Sequence, residues 1–423
     1  MLRKTLLTAA LVLATTAGSG MAQEARTLTI ISHNVHKTAA TGGDLANAQN
    51  IAGEWAQENN VTLNWVTLDI GPLHDRLLRE ASLGETSIDI AAVLNTRVVP
   101  SVARLLEPLD PHIAENPIED LEGISQGLLG ATVVDGNRVA IPYRHATNAL
   151  HFNKALLEER GVAVPTTLDE LLAAARAATF VRDDGTRVHG LVTTLDTHVT
   201  ALQFLSAFGA VYIDADLNVH ANSPEMVAGL TELAKLYQEG VLPPNVTSLN
   251  LDELIATMRE GRAVFAINPF SRYTALNDPA ASLYPGQIDV MPFPTNEPGK
   301  ASANTEFWSW AIPANSTQKD LAYDLIRALS GPDATVRAAL NGNGPVRPAA
   351  YDDQRVIDKL PYAAAEAIGL RDASVAVPAF AGAVEATTIF IEEMQAAVLG
   401  LKSPEDAAAS LQARAEELVA KSR

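Results

Sequence analysis

The chain has 423 residues, with 50 Asp and Glu against 31 Lys and Arg, a formal net charge of −19, and no cysteine. That balance excludes a nucleic-acid backbone as partner, because binding phosphates rests on clustered Lys and Arg. The missing cysteine excludes disulfides and any lipid-modified cysteine anchor.

The first residues read as a secretory signal peptide: Arg3 and Lys4, an apolar run from Thr5 to Ala17, then small residues up to Ala22. The run is shorter than the roughly 20 apolar residues a membrane span needs. Cleavage is expected after Ala22, leaving 401 residues that begin at Gln23; losing Arg3 and Lys4 takes the net charge to −21. An exported chain without an anchor points to the periplasm, and acidity of this size promotes solubility. The length is enough for two sizeable cores.

Strand-like and helix-like segments then alternate, which predicts an α/β architecture with largely parallel sheets. LTIISHN is a buried-strand run. The segment from Gly42 to Asn60 reads as a helix with Asp44 as N-cap and Leu45, Ala48, Ile51, Ala52 and Trp55 on one face, followed by the strand VTLNWVTLD. Trp55 and Trp65 are placed in the core. TTLDELLAAARAATF opens with a capping box, Thr167 to Glu170. Further helices start at Ser223-Pro224 and stop at Gly240, run from Asn250 to Gly261, end at Gly331, and close the chain. There is no internal repeat and no low-complexity linker. Two domains without a tether must be joined by strands that pass directly between them, and such crossings act as hinges.

His33, His36, His189 and His198 suggest a metal, but residues three apart on a strand point to opposite faces, and no HExxH is present. No metal and no cofactor is expected. GxSxG, phosphate-loop and GxGxxG motifs are absent; the nearest glycine cluster, NGNGP from Asn341 to Pro345, has proline where a helix donor should be. The acidic residues form too many pairs to single out a catalytic one, and most read as solvated helix faces.

Several segments in order resemble the extracellular solute-binding proteins of ABC importers, in the group that includes maltose-binding protein. They are LREASLGETSIDIAAV with LLEPLDPHI, then DGNRVAIPYRHATNALHFNKALLEERGVAVPTTLDEL, ATMREGRAVFAINPF, IDVMPFP, FWSWAIP and NGNGPVRP. The resemblance covers nearly the whole mature chain. It implies a two-lobed, type II periplasmic binding fold, each lobe a mainly parallel sheet flanked by helices. One lobe would comprise 23–145 and 291–342, the other 146–290 and 343–423. Crossings are expected near Arg144 to His151, Val290 to Pro294 and Asn343 to Arg347, which makes the Pro-Tyr-Arg-His cluster at 142–145 the floor of a cleft.

The family pattern, carried over, marks His36, Asn95, Arg97, Arg144, Asn148, Asp196, His198, Phe270, Arg272, Glu306, Trp308 and Arg347 as ligand contacts. Bland roles stand beside these: Arg97 and Arg347 as braces, His198 at a helix N-terminus, Phe270 in the core. Trp308 and Trp310 alternate along a strand, and an indole beside Arg, Asn and Asp suits a polyhydroxylated solute. Only 5% of residues are aromatic, which argues against a long oligosaccharide. The expectation is a monomeric, non-enzymatic periplasmic receptor that delivers a small sugar or polyol to the permease subunits of an ABC importer. The alternatives are an anionic sugar derivative as solute (a sugar acid or polyol phosphate), a sensor docking on a receptor, and an exported carbohydrate hydrolase.

Overall fold

The computed structural model describes residues 26–45 and 47–422; the expected signal peptide lies outside them. Ten strands share one sheet: β1 Arg26–Ser32, β2 Val61–Thr67, β3 Ile90–Leu94, β4 Ile141–Asn153, β5 Phe180–Val181, β6 Arg187–Val192, β7 Ala263–Pro269, β8 Ile288–Met291, β9 Asn304–Ala311 and β10 Ser374–Val375. Their order is β2-β1-β3-β9-β4-β7-β6-β5, with β8 also on β4 and β10 also on β9. The principal helices are α1 Asn34–Thr41, α2 Ile51–Glu58, α3 Ile70–Ala81, α4 Leu168–Ala177, α5 His198–Ser206, α6 Pro224–Gln238, α7 Leu251–Arg259, α8 Lys319–Ser330, α9 Pro332–Leu340, α10 Ala363–Arg371, α11 Ala383–Val398 and α12 Pro404–Ser422.

Two large cores divide the sheet. Leu28, Ile30, Trp310 and Ile326 belong to the first, and Leu171, Phe204, Phe265 and Met394 to the second. β4 links them: its residues up to Thr147 pair with β9 of the first lobe, and those from Asn148 pair with β7 of the second. The three crossings lie side by side, because β9 pairs with β4 at Thr305 and Thr147 and with β10 at Asn304 and Thr305. A ribbon of three paired strands bends more readily than it separates, since its hydrogen bonds persist while small backbone rotations accumulate.

Several expectations need correction. The second crossing falls at Asn304–Thr305 rather than Val290–Pro294, because Phe293 stays in the second core and Ser302 donates to Gln203 O at 2.9 Å. The third lies between Leu370 and Val377 rather than at Asn343–Arg347: Val346, Tyr351, Val356 and Leu370 all pack in the first core, and the second resumes at Val377. The helix assigned to Asp44 starts at Ile51 instead, capped by Asn50, whose Oδ1 accepts from Gly53 N at 2.9 Å. Gly42, left-handed at φ 76°, ends the preceding α1. His33 and His36 thus lie at and inside the start of a helix, not on a strand; their rings are 6.2 Å apart.

Candidate functional site

In open α/β sheets ligands gather beyond the carboxyl ends of the parallel strands, where helix starts and loops present donors without crowding from the sheet. Both lobes show this here. β1 runs into α1 with His36, β3 into the turn with Asn95 and Arg97, β6 into Thr193 and α5 with His198, and β7 into Asn268 and the turn ending at Arg272. The two sets of strand ends face the crossing ribbon, which supplies Arg144, Asn148, Glu306 and Trp308.

These side chains form a continuous strip. Arg97 acts electrostatically on both Glu306 and His74; the His74 ring lies 5.6 Å from Trp308, and Trp308 lies 4.6 Å from His36. His36 feels Arg144, and Arg144 feels Arg272 from the second lobe. Arg97, Glu306 and His198 also line a cavity of about 150 Å³ with Leu94, Thr96 and residues of α11. Arg97 and Glu306 come from the first lobe and His198 from the second, so the cavity spans both.

The imidazoles of the strip are held neutral. Burial, then the Arg144 charge, keeps His36 well below its ordinary pKa, and burial brings His198 down to about 4. Burial raises Glu306, with Arg97 opposing. The arginines are therefore the fixed charges. Unpartnered buried polar atoms occur here too: both His36 nitrogens, Asn148 Nδ2, Thr193 Oγ1, His198 Nε2 and Arg272 Nε. A desolvated donor or acceptor with no partner is unfavourable by about 1–3 kcal/mol, so a cluster of them marks a surface that a ligand completes.

Not every sequence-derived residue joins the strip. Arg347 is 2% exposed, and its guanidinium donates to Ser330 O, to Glu119 O and to both Asp120 O and Oδ2. With its N–H groups so engaged it is a brace of the first lobe, not a ligand contact. Phe270 is fully buried and stacks on Tyr362 at 6.2 Å, so it is core. Asn95 Oδ1 accepts from Phe307 N at 3.0 Å and positions the strand; Asp196 is exposed just before α5.

Sequence reasoning missed His74, Asn268 and Glu366. None of the three stands in a motif; the glycine-rich NGNGP cluster was a signal for the cleft floor instead. Asn343 Nδ2 donates to Tyr143 O at 2.8 Å, Gly344 O accepts from His145 N at 3.2 Å, and Arg144 Nη1 reaches Gly342 O and Asn343 Oδ1 at 3.4 and 3.5 Å. Gly344 must lack a Cβ, which would collide with the His145 carbonyl. The loop therefore fixes the floor of the cleft around Arg144.

The family model for bacterial extracellular solute-binding proteins matches residues 39–336. The chain belongs to that family. A solute-binding protein accounts for a strip of unfilled donors facing two lobes. Among curated relatives, a probable amino-acid ABC transporter periplasmic-binding protein of Sinorhizobium fredii is 22% identical over 404 residues, covering 92% of this chain and 90% of its own length. The erythritol/L-threitol-binding protein of Mycolicibacterium smegmatis is 25% identical over 268 residues, 58% of this chain and 56% of its own. The maltose-bound MalE3 protein of T. maritima superposes with a TM-score of 0.75 at 24% identity, covering 93% of this chain and all (100%) of that one. A ribitol-bound ABC transporter solute-binding protein of Agrobacterium radiobacter gives 0.74 at 21%, covering 93% and 98%. The fold is the two-lobed periplasmic binding protein fold.

Proposed function

We propose that this solute-binding protein is the periplasmic receptor of an ABC importer and takes a small polyhydroxylated solute, a sugar or polyol, into the cleft between its lobes. The observation that carries the reading is the strip from Arg97 to Arg272, whose unpartnered donors and acceptors suit hydroxyls, which both give and accept hydrogen bonds. Trp308 keeps part of its indole accessible beside them for the C–H face of a carbon chain. A relative named for erythritol and L-threitol and a neighbour holding ribitol support this solute size.

No bond is broken in this reading. The solute touches both lobes only when they are shut, and that differential affinity shifts the population toward the closed form. The chain acts as a monomer, is cleaved after Ala22, and hands its solute to permease subunits. Among the described residues no helix is long and apolar enough to cross a membrane.

A thermal-shift screen of the mature chain against sugars, polyols, their acids and amino acids tests the reading. Solute at 100 times its dissociation constant should add about 2.7 kcal/mol of stability. Small-angle scattering should then show a smaller radius of gyration with the solute than without. Stabilisation by amino acids alone, or turnover of a glycoside panel, would replace this function with another.

A further inference from the structure

Acidic residues outnumber basic ones in this chain, 50 to 31, and several arginines are paired with a carboxylate. Arg138, Arg176, Arg337, Arg347 and Arg414 all form ion pairs. Among the described residues neither Arg144 nor Arg272 has a carboxylate within ion-pair distance. Arg144 makes only two long hydrogen bonds, and Arg272 Nε is buried with no partner. The two guanidiniums come from different lobes and repel: after burial, Arg272 is the main influence that lowers the Arg144 pKa.

The nearest counter-charge is weak. Glu366 acts on Arg144, but burial pushes it up to about 7. Tyr143 and Tyr362, which also face Arg144, are kept protonated by burial. Two cations, neither ion-paired, thus approach each other across the cleft floor, and the buried Glu366 carboxyl is the counter-charge that acts on Arg144. A neutral hydroxyl accepts a hydrogen bond from such a pair but leaves its repulsion in place. An oxyanion removes the repulsion and matches the planar fork of each guanidinium.

We infer that the solute carries an oxyanion, a carboxylate or a phosphate, seated between Arg144 and Arg272, with Asn148 Nδ2 completing its shell. The inference rests on the small-solute reading above and narrows it to sugar acids or sugar phosphates. Lobe closure brings the second guanidinium to the anion, so the charge itself drives the hinge.

The test uses the mature chain and a matched panel: alditols of four to six carbons, the aldonic acid of each, the phosphate ester of each, and inorganic phosphate alone. Binding is read by thermal shift and then calorimetry. The expected result is that at least one acid or ester binds tenfold or more tighter than its own alditol, and that Arg272→Gln removes most of that preference. Arg144→Gln is a second variant with the same expectation, so a folding defect in one leaves the other. Acids winning over esters identifies a carboxylate; esters, or phosphate alone, identify a phosphate. An alditol that binds as tightly as its acid and its ester overturns the inference while the small-solute reading stands. No binding by any member of the panel overturns the inference, and the small-solute reading then stands or falls on the sugars of the wider screen.

Discussion

Thr147 on β4 and Thr305 on β9 meet hydroxyl to hydroxyl at the crossing, Thr147 Oγ1 donating to Thr305 Oγ1 at 3.1 Å. Thr305 in turn donates to Glu306 O at 3.2 Å, while His145 Nδ1 lies 2.9 Å from Thr147 Oγ1 and His145 Nε2 lies 2.8 Å from Tyr351 Oη. A hydroxyl has one proton, so Thr147 must accept from His145 Nδ1–H, and His145 Nε2 must accept from Tyr351. The Tyr351 proton is then committed to His145, and the buried Glu366 carboxyl lies beside them, 4.0 Å from His145 Nε2. A single directed chain of hydrogen bonds runs from Tyr351 through the hinge.

Thr147→Val interrupts that chain where it crosses between strands. The methyl fits the space, but His145 Nδ1 and Thr305 lose a buried partner, and the loss should be about 1–3 kcal/mol. Urea denaturation measures it. A variant as stable as the wild type would mean that the hinge is held by backbone pairing alone.

Glu366 should make stability depend on pH in a direction opposite to most carboxylates. Its pKa is raised from 4.5 to about 7 in the folded state, so the folded form binds more protons between those values. Its contribution is therefore full below 4.5 and is lost as pH rises through about 7. Gln cannot ionise and keeps the size and shape of the carboxyl side chain. Glu366→Gln should gain melting temperature relative to wild type on going from pH 5 to pH 8. His145 acts the other way, since burial lowers it from 6.5 to about 3, but it is present in both proteins and cancels in the difference. A constant difference across pH would show that Glu366 is ionised throughout.

Local chemistry made much of the fold legible in the sequence. Asn250 forms a full capping box with Glu253, and Ser223 caps α6 with Pro224 at its first position. The box at Thr167 is split: Thr167 accepts from Glu170 N, yet the Glu170 carboxylate turns back to Thr166. The start of α2 was misjudged because Asp44 and Asn50 are equally good caps by residue type, and the choice falls to Gly42, which ends α1 between them. The strip itself was partly visible, since His36, Arg144, Arg272 and Trp308 are polar or aromatic breaks in apolar runs. Glu366 was not, because on α10 it resembles any helix carboxylate until that helix packs into the first lobe. The same misplaced crossing hid the role of Arg347.

Arg347→Ala separates brace from contact. It removes a buried guanidinium that satisfies Ser330 O, Glu119 O and Asp120, leaving those acceptors without a donor. Breaking a buried charged network by one partner is destabilising by about 3–5 kcal/mol. Solute affinity, measured below the lowered melting point, should change by less than threefold, about 0.7 kcal/mol. A large loss of affinity with unchanged stability would return Arg347 to the binding site.

Arg144→Ala distinguishes the solute's charge from the side of the protein. With a neutral solute the guanidinium donates to hydroxyls, and its loss weakens binding by about 1–3 kcal/mol with little dependence on salt. With an anionic solute it neutralises a buried charge, and the loss should reach about 3–5 kcal/mol. The anionic case is the one expected here, because Arg144 has no ion-paired carboxylate and faces Arg272. Raising salt should then weaken wild-type binding more than it weakens the variant. Removing one of two repelling cations also predicts that the ligand-free variant melts no earlier than wild type. A variant that binds as well as wild type but melts markedly earlier would make Arg144 a structural brace of the loop from Asn341 to Pro345.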